Sequence, residues 1–98
     1  MEIEFTAKLW EWQGQGAWCF VSLPSEYYET IKEFSAGPKR GFGSLRIEAT
    51  IGKISWRTSI FPDSKTRTYL LPVKKYVRGK AHIKVGDSVK VNLILVEV

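Results

Sequence analysis

Five side chains pose the chemical question. Trp56 and Arg57 stand side by side in an alternating segment, and Lys74, Lys75 and Arg78 crowd a short stretch downstream. A guanidinium offers a planar fork of donors, an ammonium offers a point charge, and an indole covers apolar surface. Together they suit an anionic ligand in a cleft. These five residues form the candidate ligand-binding site. The charge around them agrees: Lys74, Lys75, Arg78, Lys80 and Lys84 are five cations with no anion among them. A one-sided field of this kind attracts polyanions. The same run also fits a solvated surface that aids solubility.

The charge is unevenly divided. Fifteen basic and ten acidic residues give a net charge of +5. Residues 1–51 carry five basic and seven acidic residues, net −2, and residues 52–98 carry ten and three, net +7. Glu26, Glu29 and Glu33 make one predicted helix acidic, whereas Lys74, Lys75 and Arg78 make the other basic.

Material for catalysis is scarce. The chain has one His, His82, and one Cys, Cys19. Neither has a partner at metal-ligand spacing, so no metal is expected. Cys19 lies in an apolar segment and reads as a buried structural thiol rather than a nucleophile. Asp87 follows Gly86 at a turn, where a carboxylate accepts local backbone N–H groups. No catalytic residue and no cofactor is expected. Trp10, Trp12, Trp18 and Trp56 could together make a stacking surface, but they are read mainly as core, with Trp10 or Trp12 exposed beside a polar stretch.

The elements that must position these residues follow from length and pattern. Ninety-eight residues, 44% hydrophobic and 26% charged, fit one soluble domain spanning 1–98. A chain this short buries roughly 60–65% of its unfolded surface, so the core must be dense. The longest apolar run, Leu93 to Val96, falls far short of the roughly 20 residues of a membrane helix. No signal-peptide pattern opens the sequence, and a lone cysteine forms no intrachain disulfide. A cytoplasmic protein with no membrane association is therefore expected.

The chain reads as two similar halves, 1–51 and 52–98. Cys19-Phe20-Val21-Ser22-Leu23-Pro24 has the shape of Arg67-Thr68-Tyr69-Leu70-Leu71-Pro72, and each Leu-Pro precedes a helix-compatible stretch. Gly43 to Glu48 matches Asp87 to Asn92 in character. Each half opens on an alternating strand, with Ile3, Phe5, Ala7 and Leu9 in one and Ile54, Trp56, Thr58 and Ile60 in the other. Gly14-Gln15-Gly16 separates the first two strands. Proline suits the first helical turn, where its missing N–H is no loss. Tyr27, Ile31 and Phe34 form one apolar stripe, and Ser35 to Pro38 end that helix. Gly52-Lys53 makes a tight hairpin. A second helix is expected over 72–78, stopped by Gly79, and Val85-Gly86-Asp87 is a turn. Val89 to Val98 is the last strand, apolar on both faces toward its end and so expected to be buried there. The predicted core includes Phe5, Phe20, Val21, Leu23, Ile31, Phe34, Ile47, Trp56, Ile60, Leu71, Val89, Val91 and Leu93. Six strands and two helices in this order predict a small, mainly β, closed or nearly closed barrel, since closure removes exposed edges.

Several segments together resemble a known family. They are Trp18-x-Phe20-Val21-x-Leu23-Pro24, Gly41-Phe42-Gly43-Ser44, Trp56 to Pro62, Leu71-Pro72-Val73-Lys74-Lys75-x-Val77-Arg78, and Gly86-Asp87-x-Val89. In this order they resemble the domain of unknown function 1905 family. The resemblance implies a six-stranded double-split β-barrel, a pseudobarrel with two capping helices and an internal pseudo-twofold, and implies almost nothing about function. A second likeness is more distant. Tyr69-x-Leu71-Pro72, Tyr76-Val77-Arg78 and Ile83-x-Val85-Gly86-Asp87-x-Val89-x-Val91 are similar to the strand, proline, helix and Gly-Asp module of the AbrB and MazE regulators. That likeness implies DNA binding through a dimeric barrel. Here the loop is slightly longer, and both halves lie in one chain. Arg40 to Ile47 also partly matches an RNA-recognition octamer, but Ser44 and Ile47 stand where aromatics belong.

The expectation is a non-catalytic binding or interaction module for a partner protein or small anionic ligand. The alternative is a nucleic-acid-binding regulator of the AbrB/MazE type, with weak duplex binding. An accessory structural domain ranks third.

Overall fold

The structure, a computed structural model, describes residues 1–14, 17–34 and 43–96. The expected breaks at Gln15-Gly16 and Ser35 to Pro38, the Gly41-Phe42 segment and the Glu97-Val98 end lie outside the described residues.

Alternation sets the strands. In β1, Glu2–Glu11, the buried residues Ile3, Phe5 and Leu9 alternate with outward polar ones. β2, Cys19–Ser22, buries Cys19 and Val21. β3, Leu45–Ile51, and β4, Ile54–Asp63, form a hairpin across Gly52-Lys53. Gly52 takes φ +60°, the sign favoured hairpin turns require at that position. β5 spans Thr68–Pro72 and β6 spans Ser88–Leu95. All pairings are antiparallel, and the strands close in the order β1-β2-β5-β4-β3-β6, with β6 returning to β1. Every strand therefore has a neighbour on both sides, although β1 meets β2 only over Leu9, Trp10 and Glu11, and β4 meets β5 only over Phe61, Pro62 and Asp63.

Two short helices complete the core. A 3-10 turn, Ser25–Tyr27, follows Pro24 and leads into α1, Tyr28–Phe34. Tyr28 and Ile31 are its buried residues. α2, Lys75–Ala81, buries Val77 and packs against β4. These side chains join the interior faces of the strands in one cluster, in which Val21, Ile31, Ile60, Leu71, Val77, Val91 and Leu93 are fully buried. The Gly86 turn is held to β1 by Gly86 N–H to Leu9 O at 2.8 Å and Leu9 N–H to Asp87 O at 3.0 Å.

Several details depart from the expectations. α2 begins after Pro72, which closes β5 instead of opening the helix. Gly79 lies inside α2, and His82, at φ 57°, supplies the left-handed cap. β4 runs past Phe61 through Pro62 to Asp63, with Pro62 opposite Tyr69. β6 keeps its alternation to the end, so Ile94 faces outward and is 42% exposed. Phe34, at the end of α1, is exposed as well, and Phe20 is only half-buried.

Candidate functional site

Neighbouring residues on a strand point to opposite faces. Val21 is fully buried in the barrel, so Phe20 must face out. Leu9 and Leu71 point in by the same rule, which turns Trp10 and Leu70 outward. The register then gathers the outward side chains. Trp10 stands opposite Phe20, Phe20 opposite Pro72, and Leu70 opposite Phe61. Trp12 and Trp18 extend the rows just beyond β1 and β2, where Trp12 N–H donates to Trp18 O at 2.8 Å.

The product is an open groove of about 400 Å³ lined by Trp10, Trp12, Trp18, Phe20, Phe61 and Leu70. Its rings are ordered. Trp18 stacks on Phe20 with centroids 6.2 Å apart and planes 11° from parallel. Trp10 tilts against Phe20 at 5.3 Å, and its indole Nε1–H donates to Ser22 Oγ at 2.9 Å. Trp12 and Trp18 are each 49% exposed. Contiguous apolar surface of this kind on a water-facing wall marks an interaction site more often than scattered single residues do.

A second pocket, of about 390 Å³, adjoins the groove. It lies where the chain leaving β5 passes the chain entering β2, a junction held by Val73 N–H to Cys19 O at 2.9 Å. Trp18 lines both pockets, and Lys74, Lys75 and Arg78 line the second. Arg78 Nη1 donates to Val73 O at 2.6 Å, which anchors the guanidinium at the pocket while its remaining donors are not needed for that bond.

Three of the five sequence-derived candidates, Lys74, Lys75 and Arg78, are therefore brought together. Trp56 and Arg57 are not among the described lining of either pocket. Trp56, expected in the core, is only partly buried and packs against it, and Arg57 faces solvent on the opposite side of β4, across from Glu48. Of the four tryptophans considered for a stacking surface, Trp10, Trp12 and Trp18 line the groove and Trp56 does not, while Phe20, expected in the core with Val21, lies in it. The i, i+2 spacing of Trp10 with Trp12 and of Trp18 with Phe20 was the available signal, since such pairs share a strand face.

The rest of the outer wall differs in kind. Across β1, β6, β3 and β4, Lys90 pairs with Glu4 at 3.6 Å, Asn92 Nδ2 donates to Glu2 at 2.8 Å, and Thr50 and Ser55 hydroxyls meet at 2.8 Å. Apart from the exposed Ile94, that face is mainly polar, with these pairs along it. The aromatic face has the Trp10–Ser22 bond as its one polar link among the described side chains lining it.

Among the described residues, no three His, Cys, Asp or Glu side chains converge as a metal-binding group. Asp87 Oδ2 accepts Lys84 N–H at 2.9 Å within its own turn, and Cys19 is buried. No helix among the described residues is long and apolar enough to cross a membrane.

The chain belongs to the family described as domain of unknown function (DUF1905), whose model matches residues 5–93. No curated protein matches it.

Proposed function

We propose that this DUF1905 domain is a non-catalytic binding module, acting in the cytoplasm, whose ligand carries a flat apolar portion and a negative charge. The aromatic groove would take the first and Lys74, Lys75 and Arg78 the second. The observation that supports this reading is Trp18, shared by the groove and the cationic pocket. The cytoplasmic address rests on the single cysteine. The alternative reading, a nucleic-acid-binding regulator, draws on the same three cations.

A titration with 2-naphthalenesulfonate, followed by amide and indole NMR shifts, tests the site. The shifts should concentrate on the Trp12 and Trp18 indoles and on Lys74 to Arg78. The matched cation, 2-naphthylmethylammonium, should leave the lysine stretch unmoved. Shifts centred on Trp56, or none at either pocket, would discard the site.

The proposal extends to the internal symmetry of a double-split barrel, in which β1, β2, α1 and β3 correspond to β4, β5, α2 and β6. Exchanging the two sets leaves every strand neighbour unchanged. The registers support it further. Matching Val21 with Tyr69 carries the pair Leu9–Val21 onto Pro62–Tyr69. Matching Ile47 with Val91 carries Phe5–Val91 onto Thr58–Ile47. Two separate interfaces thus lay β1 on β4 in one frame, with Leu9 on Pro62 and Phe5 on Thr58.

A further inference from the structure

We infer that the occupant of the aromatic groove is a single-stranded nucleic acid, its unpaired bases lying on the outward rings and its phosphates on Lys74, Lys75 and Arg78. This rests on the binding-module reading above and specifies its ligand. Two features occur side by side. The groove offers flat faces, with Trp12 and Trp18 half-exposed and Trp10 held in place by Ser22. The adjoining pocket offers cations, and five cations without an anion run from Lys74 to Lys84. Sequence-tolerant single-strand binding combines these two elements, because every base has a π-face and every link carries a charge.

The competing occupants fit less well. A small ligand would be largely enclosed, whereas this groove lies open along the outside of four strands. An acidic peptide would answer the lysines but has no use for several exposed ring faces. A second copy would bring another chain of net charge +5 against the same cations. Paired bases present edges and not faces, so a duplex could use the cations and not the groove.

Fluorescence anisotropy with oligodeoxythymidine and oligouridine of roughly 16 nucleotides, the upper end of single-module site sizes, tests this. The two arms separate DNA from RNA as the source of the bases. An abasic strand of equal length and a duplex are the comparisons. Either base-bearing strand should bind at least about tenfold tighter than the abasic one, the scale of stacking one base. Trp18→Ala should remove about tenfold, and Trp12→Ala should act in the same direction. Both are half-exposed, so the fold is retained, as far-UV circular dichroism would check. Three phosphate contacts predict a log–log salt slope of about −2, and Lys74→Gln with Lys75→Gln should bring it near −0.7. Equal binding of abasic and base-bearing strands, or a preference for duplex, overturns the inference. So does no strand binding while the naphthalenesulfonate shifts persist, an outcome that leaves the site standing and passes it to a small ligand or partner protein. Loss of both signals removes the site itself.

Discussion

The indole nitrogen of Trp10 donates to the hydroxyl of Ser22 at 2.9 Å, across the β1–β2 pairing. Trp10 stands opposite Phe20 in the register, and Ser22 lies one step further along the same face of β2. The bond therefore pulls the indole diagonally over the strand and fixes it 5.3 Å from the Phe20 ring. Ser22→Ala should cost about 0.5–1.5 kcal/mol, the usual net value of such a bond. Urea denaturation measures the loss, and the Trp10 Nε1–H resonance should move with it. An unchanged resonance would mean that ring packing alone orients Trp10.

The two faces of the barrel predict different costs for similar truncations. Leu93 is fully buried and faces Ala49 across the β3–β6 pairing. Leu93→Ala should cost about 2–5 kcal/mol through lost burial and a residual cavity. Phe20 projects outward, so water refills the space it leaves. Phe20→Ala should cost clearly less than Leu93→Ala, although it removes a larger side chain. Paired chemical denaturation curves decide the order, and a larger loss at Phe20 would place its ring in the core after all.

Much of the fold was legible, and the physical reason is local. The β3–β4 hairpin follows from alternation on both sides of Gly52, and the Gly86 turn from a residue able to take φ 97°. The helix limits were harder. Pro72 has no N–H to donate, yet it ends a strand here because Val73 N–H takes up the bonding to Cys19 O. Gly79 failed as a stop because the left-handed position falls three residues later, on His82, and no local rule puts histidine there. For the site, the cations were visible as a run of charge. The aromatic half was only partly legible: the tryptophans suggested a stacking surface, but hydrophobicity assigns Phe20 and Val21 alike to the core, and only the strand pleat separates them.

The left-handed end of α2 can be tested directly. His82 occupies a left-handed conformation that costs a non-glycine residue roughly 1–2 kcal/mol. Glycine loses more freedom on folding, about 0.4–1 kcal/mol, which offsets part of the relief. His82→Gly should therefore stabilise the protein by about 0.5–1 kcal/mol.

Gly79 calls for the opposite change. A Cβ added there meets nothing within 4 Å. Gly79→Ala should add about 0.5–1 kcal/mol, as expected inside a helix. A thermal melt that falls with this variant would show that glycine at 79 is needed to end the helix.

The proposed equivalence of the halves makes a stronger demand. Ile51 and Ile54 are paired and closed by Gly52-Lys53. In the frame that lays Leu9 on Pro62 and Ile47 on Val91, their counterparts are Leu95 and Met1. Leu95 N–H donates to Met1 O at 2.9 Å, so β6 and β1 already meet where such a turn would join them. A permuted chain that links Leu95 to Met1 through Gly-Lys and opens between Gly52 and Lys53 should fold into the same barrel. It gives up the Val96 N–H bond to Arg46 O, 3.0 Å in the native chain. Its stability loss should stay below that of a core truncation, about 2–5 kcal/mol. Cooperative unfolding and cross-strand NMR contacts between Ile3 and Leu93 would verify the register. An unfolded permutant, or one with those contacts shifted, would mean that the two turns are not equivalent and that the symmetry of the strand order does not extend to the connections.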